Sequence, residues 1–333
     1  MVFRLLASAL LCLVGGCTVK TQMPGKSFSG PLPPATPEEV DVARHLRAHV
    51  EKLGGEIGER NVYRPAALEA AAVYIEEQFR ALGHEVGRQE FTAARQTVRN
   101  IDVTIPGAGG AGKADEIIVV GAHYDSVHGA PGANDNASGV AAVLEVARLL
   151  KGQKLARTIR YVAFVNEEPP FFQGPQMGSV VYAGRCKERG EKIVAMLTPE
   201  TIGYYSDAQG SQRYPGMLAQ FYPKVGNFIT FVGESESEAL VSRVVESFRR
   251  HAKFPSEGGA APASIEGVGW SDHWSFQRQG YPALMLTDTA PFRYPHYHTS
   301  DDTPDKCDYD RMSRVVAGLA RVVAELADAE KVP

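Results

Sequence analysis

Residues 117–125 are Ile-Ile-Val-Val-Gly-Ala-His-Tyr-Asp, an apolar run that ends in polar side chains. Four β-branched residues in succession predict a strand covered on both faces, which is typical of a parallel sheet. Similar strands alternate with helical patterns along the chain, so we expect a three-layer α/β/α fold around a mixed, mostly parallel sheet. His123 and Asp125 follow this strand, where open sheets of this class bind their ligands.

The other elements are predicted from the spacing of apolar residues and from Pro and Gly at element ends. Helices are expected at residues 38–53, 65–82, 138–150, 174–189, 236–251 and 309–327. Further strands are expected at residues 84–91, 98–105, 158–165, 193–197, 228–232 and 283–286. No change of composition divides residues 37–333, so we expect them to form a single domain.

The first residues have the pattern of an export signal. Arg4 is followed by an apolar run over residues 5–14 and by Gly15-Gly16-Cys17, which predicts a signal peptide over residues 1–16. The sequence Val14-Gly-Gly-Cys17 resembles the bacterial lipobox, in which the cysteine carries a lipid; an ordinary cleaved signal is the alternative. We expect an exported lipoprotein anchored at Cys17, facing the periplasm or cell exterior, with residues 17–36 as a flexible tether.

Composition sets wide limits on function. The 333 residues are 44% hydrophobic and 22% charged, which excludes a mainly disordered chain. The net charge of −4 offers no basic surface for nucleic acid, and the only membrane contact expected is the lipid on Cys17. Cys186 and Cys307 lie outside the signal and could form a disulfide or remain two buried thiols.

Two short motifs lack the context that their usual chemistry needs. Gly107-Ala-Gly-Gly-Ala-Gly-Lys113 fits most of a nucleotide-binding loop, but Ala114 and a strand follow it where a helix is required. His45 and His49 are four residues apart, as in a zinc-protease helix, but no Glu follows His45. We therefore interpret this pair as a solvated helix face.

Four polar segments follow predicted strands, and together they point to one site. They contain His123 and Asp125, then Asp135, then Glu167 and Glu168, then Tyr297 and His298. Each segment alone has an ordinary structural explanation. Adjacent buried acids, however, are costly unless they are paired or bind a cation, and imidazole with carboxylate ligands suits zinc.

The ordered motifs HYDS (123–126), GANDNASG (132–139), NEE (166–168) and YHT (297–299) resemble the co-catalytic dizinc aminopeptidase family. These are bacterial secreted zinc aminopeptidases related to glutaminyl cyclases, and the resemblance covers about residues 40–328. It implies a zinc exopeptidase-like fold, two zinc ions per chain and peptide substrates. It further implies hydrolysis of N-terminal residues by a metal-bridging water.

The resemblance also implies a role for each residue of the motifs. Glu167 would activate the water, Tyr297 would donate a hydrogen bond to the oxyanion, and Asp125 would orient His123. Asp135 would bridge the two metals, and the family has a cis peptide bond after it. The implied metal ligands are His123, Asp135, Glu168, Glu200 and His298.

Two departures from the family pattern affect the site. Family members usually have an Asp ligand at the end of the strand that follows the paired glutamates. This chain has Glu200 there, and Asp207 is the fallback ligand. Asn166 precedes the paired glutamates where Gly is usual, and two prolines follow them. Asp272 is expected near the site without being a ligand. Three further histidines are not expected to be ligands: His128, His273 and His296.

Two other functions fit the same residues. A glutaminyl-cyclase-like acyltransferase would use a single zinc held by Asp135, Glu168 and His298, and a non-catalytic binding protein could have the same fold. Manganese or cobalt could replace zinc. Residues 204–231, rich in Tyr, Phe and Pro, are expected to line the pocket for the substrate's first residue. The sequence does not identify that residue, and it leaves the oligomeric state open.

Overall fold

A mixed sheet lies at the centre of the computed structural model, which describes residues 19–110 and 112–333. In these residues the strands are Gly87–Ala93 (β1), Gln96–Ile105 (β2), Glu116–His123 (β3), Thr158–Phe164 (β4), Lys192–Glu200 (β5), Ile229–Glu234 (β6), Ser256–Ala261 (β7) and Ala283–Thr287 (β8). Their order is β1-β2-β4-β3-β5-β8-β6-β7. Strands β4, β3, β5 and β8 are parallel neighbours, and β1, β2 and β6 join by antiparallel pairing.

Helices cover both faces of this sheet. The α-helices of the described residues are Pro37–Val50 (α1), Pro65–Ala81 (α2), Gly139–Leu149 (α3), Gly178–Glu188 (α4), Glu238–His251 (α5), His273–Arg278 (α6), Ala290–Arg293 (α7) and Tyr309–Asp328 (α8). Helices α1, α3, α5 and α8 pack together on one face, and α4 packs with α6 on the other. The expected mixed, mostly parallel α/β/α architecture is confirmed.

Strand β3 shows why its sequence is apolar throughout. Ile118 and Val120 belong to the larger hydrophobic core, while Ile117 and Val119 belong to a second core on the opposite face. Because successive side chains point to opposite faces, a strand buried on both sides needs no polar alternation. Four parallel strands end at the same edge of the sheet, and His123 lies at this edge.

The sequence missed one strand and displaced several boundaries by a few residues. β7 has the sequence Ser-Glu-Gly-Gly-Ala-Ala, which lacks the β-branched and aromatic residues on which strand prediction depends. It forms because each of its residues pairs in parallel with one residue of β6. Tertiary pairing therefore overrides a weak local preference.

Residues 19–27 lie along β7 and α5. The backbone groups of Lys20 and Ala260 exchange hydrogen bonds of 2.8 and 3.1 Å. Arg249 of α5 donates to the carbonyls of Met23, Pro24 and Gly25 at 3.2, 2.9 and 3.3 Å. These residues differ from the flexible tether expected, because they pair with an otherwise open sheet edge. The predicted signal peptide and Cys17 lie outside the described residues.

Two other expectations concern individual side chains. Cys186 and Cys307 are both free and buried in different hydrophobic cores, so the disulfide alternative is excluded. The solvated face predicted for His45 and His49 is wrong for His49, which is 7% exposed because α1 packs on α3.

None of the described helices has the length and apolar character needed to cross a membrane.

Candidate metal centre

A first group of metal-ligand atoms surrounds the ring of His123 at the end of β3. Its Nε2 atom lies 3.4 Å from Oδ1 of Asp135 and 3.2 Å from Oε2 of Glu200. The other ring nitrogen, Nδ1, lies 3.2 Å from the backbone oxygen of Asp125. Nε2 therefore faces the acids, while Nδ1 contacts a backbone oxygen on the other side of the ring. This arrangement is typical of metal-binding histidines.

A second group shares Asp135 with the first. Nε2 of His298 lies 3.1 Å from Oδ2 of Asp135 and 3.4 Å from Oε2 of Glu168. The two oxygens of Asp135 thus face different histidines. In each group the ligand atoms lie within 4.8 Å of one another, so each could hold one metal ion.

The loop that presents Asp135 is held by a second buried acid, Asp302. Its carboxylate accepts the N–H groups of Asn134 and Asp135 at 2.8 and 3.1 Å, and the hydroxyl of Tyr294 donates to it at 2.8 Å. The peptide bond between Asp135 and Asn136 is cis, as the family resemblance implied. Sequence reasoning missed Asp302, although it lies in the fourth polar segment.

Asp125 contacts the paired glutamates at the end of β4 as well as His123. Its two oxygens accept the backbone N–H groups of Glu167 and Glu168 at 3.1 and 3.2 Å. The same carboxylate lies 3.5 Å from Nδ1 of His123. One side chain therefore positions residues from two neighbouring parallel strands.

Glu200 belongs to the first group of candidate ligand atoms, and Asp207 belongs to neither group. Oε2 of Glu200 accepts hydrogen bonds from the Ser271 hydroxyl at 2.7 Å and from the Asn136 amide at 3.2 Å. Asp207 is exposed, and its carboxylate contacts Asn227 and Arg311. Neither Ser271 nor Asn136 was expected to contact a ligand, although they are the neighbours of Asp272 and Asp135, which the sequence had marked.

The remaining candidate residues divide between the site and its surroundings. Oε2 of Glu167 lies 3.9 Å from Nε2 of His123, and the ring of Tyr297 stacks on His298 with centroids 3.8 Å apart. Asp272 is fully buried beside the site. The three other histidines lie outside both groups, as expected: His128 contacts Glu59, His273 contacts the carbonyl of Val268 and His296 contacts Tyr294.

The pKa values show how strongly this cluster favours positive charge. Burial alone would lower the pKa of His123, but the facing carboxylates of Glu200 and Glu167 raise it well above its usual value. Burial also opposes protonation of His298. Its hydrogen bonds to Asp135 and Glu168 nevertheless raise its pKa to about 10. Burial raises the pKa of Glu168 to about 7, and Asp135 adds to this shift.

A buried cation, Arg60, lies behind the acids. Its guanidinium donates to the backbone carbonyls of Tyr124, Leu53, Gly58, Pro131 and Gly132. Burial lowers its pKa to about 10, and nearby acids, first Asp302 and then Asp125, oppose the shift. A lone arginine in a loop belongs to no motif, so nothing in the sequence marks Arg60.

The candidate residues fit zinc in the type of their donor atoms and in having a buried acceptor without a partner in the part of the chain that the structure describes. Two imidazoles and three carboxylates form a donor set that suits this metal. Oε1 of Glu168 is buried with no hydrogen-bond partner among the described residues, so the group of Asp135, Glu168 and His298 contains an acceptor that a metal ion would satisfy. The zinc expectation is thus supported by the chemistry of the site itself.

A third group, formed by His45, His49 and Glu145, also has ligand atoms close together. The histidines lie 3.8 Å from Oε1 of Glu145. Arg148, however, donates from Nε to both carboxylate oxygens at 3.0 and 2.9 Å. This carboxylate is already neutralised by an ion pair within α3, and Arg148 also contacts Asp41 of α1 at 2.9 Å.

A pocket of about 910 Å³, its open mouth included, lies beside Glu200 and Tyr297. Its walls are mainly aromatic and aliphatic. The expected stretch, residues 204–231, contributes Tyr214, Pro215, Leu218, Tyr222, Phe228 and Thr230.

Two relatives by sequence align with most of the chain. An uncharacterized protein, YfbL of Escherichia coli K12, is 36% identical over 295 residues, which are 86% of this chain and 88% of YfbL. Leucine aminopeptidase 1 of Trichophyton equinum is 29% identical over 278 residues, covering 77% of this chain and 67% of the relative.

Solved structures share the fold at lower identity. A zinc aminopeptidase from Bacillus subtilis, BSAP, superposes with a TM-score of 0.70 at 16% identity, covering 87% of this chain and 96% of that one. A glutaminyl cyclase from Fimbriiglobus ruber has a TM-score of 0.62 at 20% identity, with 91% and 99% covered. Both kinds of protein named by the sequence resemblance therefore have this fold.

The sequence profile of Peptidase family M28 matches residues 100–323. The matched segment includes both ligand groups, and the enzyme class expected from the sequence is confirmed by this match and by the relatives. This chain therefore belongs to Peptidase family M28 and is a hydrolase of the metallo-aminopeptidase class.

Proposed function

We propose that this protein removes N-terminal residues from peptides by zinc-dependent hydrolysis and holds two zinc ions. The observation that carries the proposal is the position of Asp135, whose two oxygens face two separate histidine–carboxylate groups. A single metal would need only one of these groups. The leucine aminopeptidase relative supports an N-terminal peptide substrate.

The proposed roles of the side chains follow from their distances. His123, Asp135 and Glu200 would hold one zinc ion, and Asp135, Glu168 and His298 the other. Zinc, when bound, acts as a Lewis acid that polarises a carbonyl and lowers the pKa of water.

Glu167 lies beside the first group without belonging to either group, so its carboxylate is free to accept and return a proton. Asp125 fixes the positions of Glu167 and Glu168 by accepting hydrogen bonds from their backbone N–H groups. Tyr297 lines the adjacent pocket, where its hydroxyl could donate to a tetrahedral oxyanion.

A glutaminyl-cyclase-like acyl transfer is the second candidate, because a glutaminyl cyclase shares the fold. That reaction would use the Asp135, Glu168 and His298 group alone. The buried His123–Glu200 pair, with Ser271 donating to the carboxylate, would then have no role. The complete first group therefore favours the peptidase.

The test compares the wild type with Glu167→Gln, which keeps the shape of the side chain and removes the base. We expect two zinc ions per chain in both proteins by elemental analysis. Hydrolysis of aminoacyl-p-nitroanilides should fall by about 10² to 10⁴ in kcat in the variant.

Glu188→Gln, an exposed change at the end of α4, is the matched control and should retain full activity. Equal activity of wild type and Glu167→Gln would reject the mechanism. One zinc per chain together with pyroglutamate formed from N-terminal Gln peptides would instead support the cyclase.

We also propose export and anchoring through a lipid on Cys17. The support is the Val14-Gly-Gly-Cys17 sequence after an apolar run. Labelling with a radioactive fatty acid in cells, compared between wild type and Cys17→Ala, tests the anchor; an unlabelled wild type would contradict it.

A further inference from the structure

We infer that the pocket beside the metal centre selects peptides whose N-terminal residue is lysine or arginine, with Glu257 receiving the cationic end of that side chain. This inference rests on the proposed aminopeptidase function and names its substrate class. The floor of the pocket, its charges and one unpartnered hydroxyl support this assignment.

Four residues in one row across the sheet form the floor of the pocket. Glu200 of β5 pairs with Thr287 of β8, Thr287 pairs with Thr230 of β6, and Thr230 pairs with Glu257 of β7. Paired residues point to the same face, and all four line the pocket. Neighbouring strands are about 4.8 Å apart, so Glu257 lies roughly 14 Å along the floor from the candidate ligand Glu200.

The wall between these two acids is apolar. Tyr222, Phe228, Val232 and Met285 line it, and they would contact the methylene stem of a long side chain. Lysine and arginine both have such a stem and end in a cation. A short aliphatic side chain would leave the far end of the pocket unfilled.

The charges of the pocket have one sign. Glu257 and Glu266 line it in addition to Glu200, and no described lining residue is Lys, Arg or His. The nearest cation to Glu257 is Arg249, whose Nη2 atom is 3.9 Å away and bonds to the carbonyl of Ser256 at 2.7 Å. Arg249 therefore balances Glu257 only in part.

Glu257 is also poorly satisfied within the protein. Its side chain is 22% exposed, and in the described part of the chain no hydrogen bond reaches its carboxylate. Burial raises the pKa of Glu257, with Arg249 opposing, so an arriving cation would stabilise the ionised form. Next to it on the floor, the buried hydroxyl of Thr230 has no partner among the described residues.

Lysyl- and norleucyl-p-nitroanilide provide the matched probes, because norleucine has the stem of lysine without the ammonium group. We expect the zinc-loaded wild type to favour the lysyl substrate in kcat/KM by about tenfold or more, as a charge-assisted hydrogen bond allows. Glu257→Gln should lose about tenfold with the lysyl substrate and keep its norleucyl activity.

Glu266→Gln is the control, since Glu266 is exposed at the rim of the same pocket and should change the ratio far less. Calorimetric binding of free lysine and norleucine gives a second readout that needs no turnover, and only lysine binding should weaken in Glu257→Gln.

The possible failures are distinguishable. A wild type that cleaves norleucyl substrate at least as well as lysyl substrate, with a ratio unchanged in Glu257→Gln, overturns the pocket assignment and leaves the peptidase intact. If zinc-loaded wild type cleaves neither substrate, the proposed function fails, and the calorimetry still decides whether Glu257 binds the cation.

Discussion

At the scale of single residues, Asp125 shows how one buried carboxylate can organise a metal site without belonging to either ligand group. It accepts the N–H groups of Glu167 and Glu168 and lies behind the ring of His123. Its removal should therefore disturb the positions of ligands from two strands together. Outer carboxylates of this kind commonly affect metal affinity by 10- to 100-fold.

We predict that Asp125→Asn weakens zinc binding by roughly 10- to 100-fold, because an amide cannot accept both N–H groups while it faces the imidazole. Competition with a chromophoric chelator measures the affinity. Asp207→Asn serves as the control, since this acid is exposed and belongs to neither group. Unchanged zinc affinity in Asp125→Asn would contradict the positioning role.

The candidate ligands could be proposed from the sequence because most of them lie in short ordered motifs at or after the ends of strands. Glu200 could be named only as one of two candidates, with Asp207 as the other, because one ends β5, the other follows it, and the sequence does not show which side chain points into the site. Ser271 and Arg60 act through contacts with residues far away in the chain. Such contacts leave no local pattern, so only the structure could reveal them.

At the scale of elements, an ion cluster fastens α2 to β1 and β2. Glu76 of α2 is fully buried and accepts hydrogen bonds from Arg80, Arg88 of β1 and Arg99 of β2. Burial alone would raise the pKa of Glu76, but hydrogen bonds from Arg88, Arg80 and Arg99 lower it to about 2.

Because the pKa of Glu76 is lowered, the cluster stabilises the fold over only part of the pH range. Its stabilisation is complete above the usual glutamate pKa of about 4.5 and is lost as the pH falls towards about 2. We predict that Glu76→Gln lowers the free energy of unfolding by about 2–3 kcal/mol at pH 6 and by much less at pH 3.

Urea unfolding at the two pH values measures both differences. Glu77→Gln, on the exposed side of the same helix, should differ little from wild type at either pH. An equal loss at both pH values for Glu76→Gln would show that the side chain acts by packing and not by charge.

The elements themselves were largely predictable, because helices of the α3 and α8 kind have strong apolar periodicity. β7 and residues 19–27 were not, since a Gly-rich strand and a segment without apolar periodicity acquire their order from each other and from β6. Local composition favours flexibility in both segments. Long-range pairing decides the outcome.

At the scale of the whole molecule, the metal centre concentrates buried acids that the fold must hold together. Asp135, Glu167, Glu168, Glu200 and Asp272 are all buried at one end of the sheet. Bound zinc would stabilise only the folded state, by about 4 kcal/mol when free zinc exceeds its dissociation constant a thousandfold.

We therefore predict that chelation lowers the Tm by on the order of 10 °C. Differential scanning calorimetry of zinc-loaded and chelator-treated protein measures the shift. The same chelator, saturated with zinc beforehand, is the control and should leave the Tm unchanged. Identical Tm values for loaded and stripped protein would contradict a coupling of metal binding to folding.

The docking of residues 19–27 also limits how far the enzyme could reach from a membrane. Only Thr18 separates Cys17 from Val19, which lines the pocket, and two residues span at most about 7 Å when fully extended. A lipid on Cys17, as proposed, would then keep the pocket wall close to the bilayer surface. The enzyme would meet peptide ends concentrated at that surface, and its working rate would depend on their density per area of membrane more than on their concentration in solution.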